Sequence, residues 1–171
     1  MYKKLIKQFV NNIDSDIKVK FLKGKCGLFC EPENYTIFIG FEYNAIDANT
    51  FYSFCKELEP KLCNTVQIDQ FITGILHEIG HLMTHDDEKE DDYNESVELL
   101  NTLYQTKTIT EEEMNKYYVR LDLEQLATKW ALDFIKNNYN YFKYYQEKIG
   151  REINKHFEKI DHNNEYVRVV F

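Results

Sequence analysis

The stretch FITGILHEIGHLM, residues 71–83, combines the apolar pattern of a buried helix with two histidines four residues apart. Apolar side chains recur in it at intervals of three and four residues, the spacing that places them on one helical face. They are Phe71, Ile72, Ile75, Leu76, Ile79, Leu82 and Met83. The pattern predicts a packed helix that begins near Gln67 or Asp69 and reaches about His85.

Within this helix, His77, Glu78 and His81 form an HExxH motif. Residues four apart lie above one another on a helix, so both imidazoles can bind one ion, and neutral imidazole is a good ligand for Zn²⁺. Glu78 lies beside the first ligand, where its carboxylate can act as general base toward a zinc-activated water. Gly80 lowers helix stability by about 1 kcal/mol relative to alanine, which indicates that another backbone approaches here. The motif predicts a hydrolase with Zn²⁺ as its cofactor.

A catalytic zinc usually has three protein ligands and one open position. Glu124 is the favoured third ligand, because it lies in the predicted apolar helix LEQLATKWA (123–131), where a buried carboxylate needs a partner. Ala127 and Ala131 follow at helical spacing and would allow close packing against the HExxH helix. The predicted metal ligands are His77, His81 and Glu124.

Four other residues are alternatives for the third ligand. Asp87 stands where one class of zincins places this ligand after a glycine turn, although Thr84 occupies the glycine position. Glu95 and Glu98 could reach the ion from a following helix. His85 continues the face of the HExxH helix, but eight residues of helix rise about 12 Å, so it could share the ion only if the helix ended early.

The two motifs resemble those of the ImmA/IrrE family of metallopeptidases. HEIGHLMTH (77–85) is similar to the family signature HE-[LI]-G-H-x-x-x-H, and residues 124–131 resemble its second motif, a glutamate followed by an alanine and an aromatic-alanine pair. The resemblance implies a minimal zincin-like fold with zinc on His77, His81 and Glu124 and with Glu78 as general base. It also implies an endopeptidase that cleaves a repressor or similar regulator, often encoded beside it on a phage or mobile element.

The chain has 171 residues and a formal net charge of -8, from 21 basic and 29 acidic residues. A surface of this sign repels phosphate backbones and anionic lipids, so direct nucleic-acid binding and membrane association are not expected. The opening MYKKLIKQFVNN is amphipathic and lacks the apolar centre of a signal peptide, and no apolar run is long enough to span a bilayer. A cytoplasmic protein is therefore expected. A protein substrate is what the resemblance to the ImmA/IrrE family implies, and the oligomeric state stays open.

The chain contains four cysteines. They are Cys26, Cys30, Cys55 and Cys63. In a cytoplasmic chain they are interpreted as reduced core residues, with a four-thiolate zinc site as the alternative. Their spacings are wider than the two-residue knuckle of such zinc sites, which favours the first interpretation.

Three apolar segments after a first helix at 2–12 predict strands. They are the alternating run that begins at Ile17, CGLFC (26–30) and YTIFIGF (35–41), and YVRVVF (166–171) is a candidate fourth. The short turns between the first three favour an antiparallel meander. YTIFIGF is either an ordinary core strand or an exposed edge that could pair with an extended peptide.

The remaining predicted elements are helical, apart from the acidic run at 85–95, which is expected to be a loop or a solvated helix end. Helices are predicted at 48–59, at 94–105, from a capping box at Thr110 to about Asn137 with a break near Arg120, and at 139–158. Residues 1–171 are therefore expected to form one α+β domain. Its small antiparallel sheet of three to four strands would pack on five to six helices.

The sequence does not select the donor that would stabilise an oxyanion. The candidates are Tyr117, Tyr118, Arg120, His156 and His162.

The leading hypothesis is a zinc endopeptidase. The first alternative is an acidic binding protein of zincin fold that occludes a partner without proteolysis. The second is a structural domain with a closed four-ligand metal site.

Overall fold

The computed structural model describes residues 1–23, 26–41 and 70–160. Within these ranges the fold is α+β, as predicted, and a 3-10 turn at Pro32–Asn34 connects the second and third strands. The elements are α1 Tyr2–Ile13, β1 Lys18–Leu22, β2 Cys26–Glu31, β3 Thr36–Phe41, α2 Gln70–Met83, α3 Asp87–Gln105, α4 Glu111–Tyr118, α5 Asp122–Asn137 and α6 Tyr139–Ile160. The predicted helix at 48–59 and strand at 166–171 lie outside the described residues, as do Cys55 and Cys63.

The sheet is mixed, so the predicted antiparallel meander is wrong. Its strand order is β1-β3-β2, with β3 parallel to β1 and antiparallel to β2. Ile37 pairs with Val19 on one side and with Cys30 on the other. A short turn favours direct pairing of the strands it joins, but here the third strand occupies the place between the first two.

The position of β3 also decides the edge-strand question. In the described part of the sheet β3 is the central strand, whereas β2 is at an edge. The side chains of Ile37 and Ile39 are fully buried, while Phe29 on β2 is exposed. The most continuous apolar strand is thus the one with neighbours on both sides, and the interpretation of YTIFIGF as an edge is wrong.

The core lies between the sheet and the helices. Helix α2 packs against β2 and β3 on one side and most extensively against α5 on the other, while α1 packs on α6. Three side chains of α2, those of Ile75, Leu76 and Ile79, are fully buried in this core. The element with the HExxH motif is therefore held on two sides by packed apolar surface. In the described ranges every helix is too short or too polar to cross a bilayer.

The acidic run forms the solvated first turns of a long helix, so of the two predicted alternatives the helix end is confirmed and the loop is wrong. Asp86 is the N-cap of α3, and its side chain accepts a hydrogen bond from the backbone N–H of Glu88 at 3.2 Å. Carboxylates are favourable in the first turn of a helix, where the backbone dipole is positive. Because α3 has no fully buried residue, its apolar pattern gives little sign of the helix.

The capping box and the break near Arg120 are both confirmed. The Thr110 hydroxyl accepts from the backbone N–H of Glu113 at 3.2 Å, and the Glu113 carboxylate accepts from the backbone N–H of Thr110 at 2.9 Å. Helix α4 ends at Tyr118, and α5 begins at Asp122. The new helix axis lets α5 lie along α2.

Tyr35, just before β3, connects the sheet to the end of α1 through a hydrogen bond. The hydroxyl of Tyr35 donates to Oδ2 of Asp14 at 2.8 Å. Burial, followed by this hydrogen bond and the charge of Asp14, raises the pKa of Tyr35 to about 12. The neutral phenol is thus stabilised by folding.

Replacement of Tyr35 by phenylalanine is expected to lower the free energy of unfolding by about 1 kcal/mol at neutral pH, the usual effect of one lost hydrogen bond. The folded pKa is above the ordinary value of 10.0, so the contribution is complete below that pH and is lost as the pH rises through about 12. Urea unfolding of both proteins across this range should show their difference shrinking. A difference that is constant with pH would contradict the assignment.

Candidate metal centre

Helix α2 places two imidazoles at one point. His77 and His81 are one turn apart, and their Nε2 atoms are 3.1 Å from each other. His77 is 8 % exposed, and the apolar residues beside it in α2 are buried. The packed face of the helix therefore fixes the direction of both rings.

Helix α5 brings a carboxylate to the same point. Glu124 is 3 % exposed, with Oε2 at 2.9 Å from Nε2 of His77 and Oε1 at 3.5 Å from Nε2 of His81. In the part of the chain that the structure describes, these three residues form a group whose ligand atoms all lie within 4.8 Å of one another. The structure thus brings together the three residues that the sequence predicts as ligands, in an arrangement that could hold a metal ion.

The spacing of these atoms suits a small tetrahedral ion. Ligand atoms at zinc–nitrogen and zinc–oxygen distances around a tetrahedron are about 3.3 Å apart. The two Nε2 atoms are 3.1 Å apart, Nε2 of His77 lies 2.9 Å from Oε2 of Glu124, and Nε2 of His81 lies 3.5 Å from Oε1 of the same carboxylate. Two imidazoles and one carboxylate are also ligands that zinc accepts in catalytic sites. The donor set therefore suits a small cation such as zinc.

The electrostatics of Glu124 favour a cation at this point. Burial by itself would raise the pKa of the carboxyl, but hydrogen bonds to His77 and His81 and their charges together hold it well below its ordinary value. Burial would lower the pKa of His81, but contact with Glu124 raises it. A buried carboxylate of this kind is stabilised by positive charge.

Gly80 allows the two helices to approach. A Cβ built on Gly80 would lie 2.9 Å from both Cα and the carbonyl carbon of Ala127, closer than such atoms approach in real proteins. The close backbone approach predicted at Gly80 is therefore confirmed, and the partner is α5. This contact sets the distance between the histidines and Glu124.

A buried hydroxyl orients the first histidine. Thr128, one turn after Glu124 on α5, has its Oγ1 3.0 Å from Nδ1 of His77 and is fully buried. If Nδ1 carries the proton and donates to this oxygen, the lone pair of Nε2 faces the ligand group. A hydrogen bond of this kind fixes the ring and its tautomer in metal sites.

Two tyrosines extend the network from Glu124. The hydroxyl of Tyr93, in α3, donates to Oε1 of Glu124 at 2.6 Å and lies 3.0 Å from the hydroxyl of Tyr118, in α4. Burial, then the Glu124 charge, raises the pKa of both tyrosines. Both hydroxyls therefore stay protonated at neutral pH.

Glu78 lies beside the ligand group without belonging to it. The Cys30 thiol lies close to this carboxylate, since each group influences the pKa of the other. Cys30 is opposite Ile37, on the sheet face that packs against α2. Burial raises the pKa of Glu78, partly offset by His77 and His81.

The structure does not bring the alternative third ligands to this group. Nε2 of His85 lies 2.8 Å from Oδ1 of Asp87, whose side chain is 91 % exposed, in a separate surface cluster that includes Glu90. Glu95 and Glu98 are exposed on α3. Of the candidates, Glu124 alone in the described residues lies with His77 and His81.

The candidate oxyanion donors are mostly remote or exposed. Tyr118 lies near Glu124 through Tyr93, whereas Tyr117 is 53 % exposed and Arg120 is exposed. The side chain of His156 and all of His162 lie outside the described residues.

Sequence reasoning missed Thr128 and Tyr93. A helix with Glu124 on its buried face necessarily carries residue 128 on the same face, so Thr128 could have been found from its spacing. Tyr93 lies inside the acidic run, and no pattern there indicates that a tyrosine points inward.

We compared the chain with models of protein families, with curated proteins and with solved structures. No family model, curated protein or solved structure matches it.

Proposed function

We propose that the chain is a zinc-dependent endopeptidase of the cytoplasm that cleaves a specific protein, a repressor or similar regulator. The observation that carries the proposal is the convergence of His77, His81 and Glu124 next to Glu78. In the described residues the group has three members, which leaves a fourth tetrahedral position for a reactant, as in catalytic zinc sites. The substrate class rests on the resemblance to the ImmA/IrrE metallopeptidases.

The contacts indicate a separate role for each residue of the site. Zinc held by the three residues would polarise a peptide carbonyl and acidify a water. The carboxylate of Glu78 accepts a proton and returns it to the leaving nitrogen. Thr128 holds the ring of His77, and Glu124 supplies the negative charge that retains the cation. The Cys30 thiol lies beside Glu78 on the side of the sheet.

The edge of the sheet supports a substrate in extended form. Strand β2 packs against α2 and is an edge strand in the described part of the sheet. An extended peptide can add to such an edge through main-chain hydrogen bonds. A segment bound there would run past the HExxH helix, which favours a flexible loop or linker of the target protein as the place of cleavage.

The proposal is tested by comparing new protein N termini in cells that express the wild type or His81→Ala. With the wild type we expect one or a few new N termini, in a regulatory protein, that are missing with the variant. The purified wild type should cleave that protein, lose all measurable activity with a zinc chelator, and regain it when Zn²⁺ is restored. His81→Ala should stay inactive after the same addition.

Cleavage that persists after the chelator has removed the metal would contradict the proposal. The same holds if a zinc-loaded wild type produces no new N termini in cells where it exerts its biological effect.

A second candidate function is an acidic binding protein that occludes a basic partner. The exposed acidic side chains in the first turns of α3, which are Asp87, Glu88, Asp91 and Asp92, favour it. A folded double variant, His77→Ala with His81→Ala, distinguishes the two. Loss of the biological effect supports the peptidase, and full retention supports occlusion.

A further inference from the structure

The shortest polar contact of Glu124 is with a residue outside the ligand group. Tyr93 donates to Oε1 at 2.6 Å, whereas the nearest imidazole nitrogen lies 2.9 Å from Oε2. The two carboxylate oxygens thus have different partners. Oε1 accepts from the Tyr93 hydroxyl and also lies 3.5 Å from Nε2 of His81, whereas Oε2 faces His77.

The position of Tyr93, in a mostly polar helix, makes this contact informative. Helix α3 is polar on most of its surface and has no fully buried residue, yet Tyr93 turns inward and is half-buried. Its hydroxyl also contacts that of Tyr118, in the next helix. Polar contacts therefore link Glu124 of α5 to Tyr93 of α3, and Tyr93 in turn to Tyr118 of α4.

A carboxylate can bind an ion through one oxygen or through both. A strong hydrogen bond to one oxygen turns the other toward the ion and prevents rotation of the group.

We propose that Tyr93 is a positioning residue for the metal centre, which fixes Glu124 as a ligand through Oε2, and that Tyr118 supports it from α4. The inference rests on the proposed zinc site. It assigns the pair of helices α3 and α4 a role in metal affinity. Tyr93 acts through Glu124.

The test uses the full chain and three variants that each remove one hydroxyl and keep the ring: Tyr93→Phe, Tyr118→Phe and Tyr117→Phe. Tyr117 is the matched control, because it neighbours Tyr118 but is exposed. Zinc affinity is measured by competition with a chelator. The visible absorption of bound Co²⁺, which reports coordination number and geometry, is recorded for each protein, and thermal unfolding of the metal-free proteins checks the fold.

We expect Tyr93→Phe to bind zinc about 10- to 100-fold more weakly, the usual effect of losing a hydrogen bond to a metal ligand, and to change the Co²⁺ spectrum. Tyr118→Phe should show a smaller change of the same kind, and Tyr117→Phe should match the wild type. A purely structural role would lower thermal stability but leave the Co²⁺ spectrum unchanged.

Wild-type affinity and an unchanged spectrum in a folded Tyr93→Phe protein would overturn the inference and leave the proposed peptidase intact. The expected changes in a chain that binds zinc but cleaves nothing would support the inference and overturn the peptidase.

Discussion

Replacement of Glu78 by glutamine is expected to slow cleavage of the substrate by about 10²- to 10⁴-fold, the usual contribution of a general acid–base group. Glutamine has nearly the same size, and its amide oxygen can still accept hydrogen bonds. It has no basic carboxylate, so it cannot take up the proton. Because Glu78 is not in the ligand group, zinc should stay bound.

The measurement combines zinc content, thermal unfolding and the rate of cleavage of the substrate identified in cells. Glu95→Gln is the matched control, since it makes the same change on the exposed face of α3 and should cleave like the wild type. A zinc-loaded Glu78→Gln protein that cleaves at the wild-type rate would refute the assigned mechanism.

Replacement of Gly80 by alanine is expected to destabilise the fold and to weaken metal binding together. Alanine favours a helix over glycine by about 1 kcal/mol. The added methyl group, however, meets the backbone of Ala127, which cannot rotate away as a side chain can. Overpacking in a core costs about 1–3 kcal/mol, so we expect net destabilisation. This clash is removed only if α2 and α5 move apart, and that movement takes both histidines away from Glu124.

Urea unfolding of the metal-free protein measures the first effect, and chelator competition measures the second. Asn101→Ala, on the exposed face of α3, is the control for helix propensity and should be slightly more stable than the wild type. Undiminished stability and zinc affinity in Gly80→Ala would show that the helix contact does not set the geometry of the centre.

The sequence carries most of the information about α2. Its apolar spacing marks the buried face, and the motif places the two histidines and Gly80 on defined sides of the helix. The same is true of α5, where Glu124 stands out because a carboxylate on an apolar face needs a partner. Both helices are local patterns, which is why they are predictable.

The pairing of the strands could not be predicted in this way. The alternation of side chains within each strand shows that Val19, Ile37 and Cys30 belong to its apolar face. It does not show which strands are neighbours. That choice depends on how the sheet lies against α2, a contact between residues far apart in the chain. The turns suggested the simplest order, and the more apolar third strand took the central place.

The position of Tyr93 was equally hidden. Tyr93 reaches the centre because α3 docks at a particular angle, whereas the spacing of Thr128 from Glu124 places both on one face of α5. In α3 the acidic residues dominate the pattern and conceal the one tyrosine that turns inward. Contacts that depend on helix docking have no local signature in a single sequence.

The two helices of the centre contribute ligands that are 47 residues apart, from His77 to Glu124. An ion held by both would close a loop that contains all of α3 and α4, much as a disulfide does, and would restrict the unfolded chain. Since only the folded chain holds the ion this way, free zinc at 100 times its dissociation constant would add about 2.7 kcal/mol to stability. The steady-state amount of the protein in the cell should therefore increase and decrease with the concentration of available zinc.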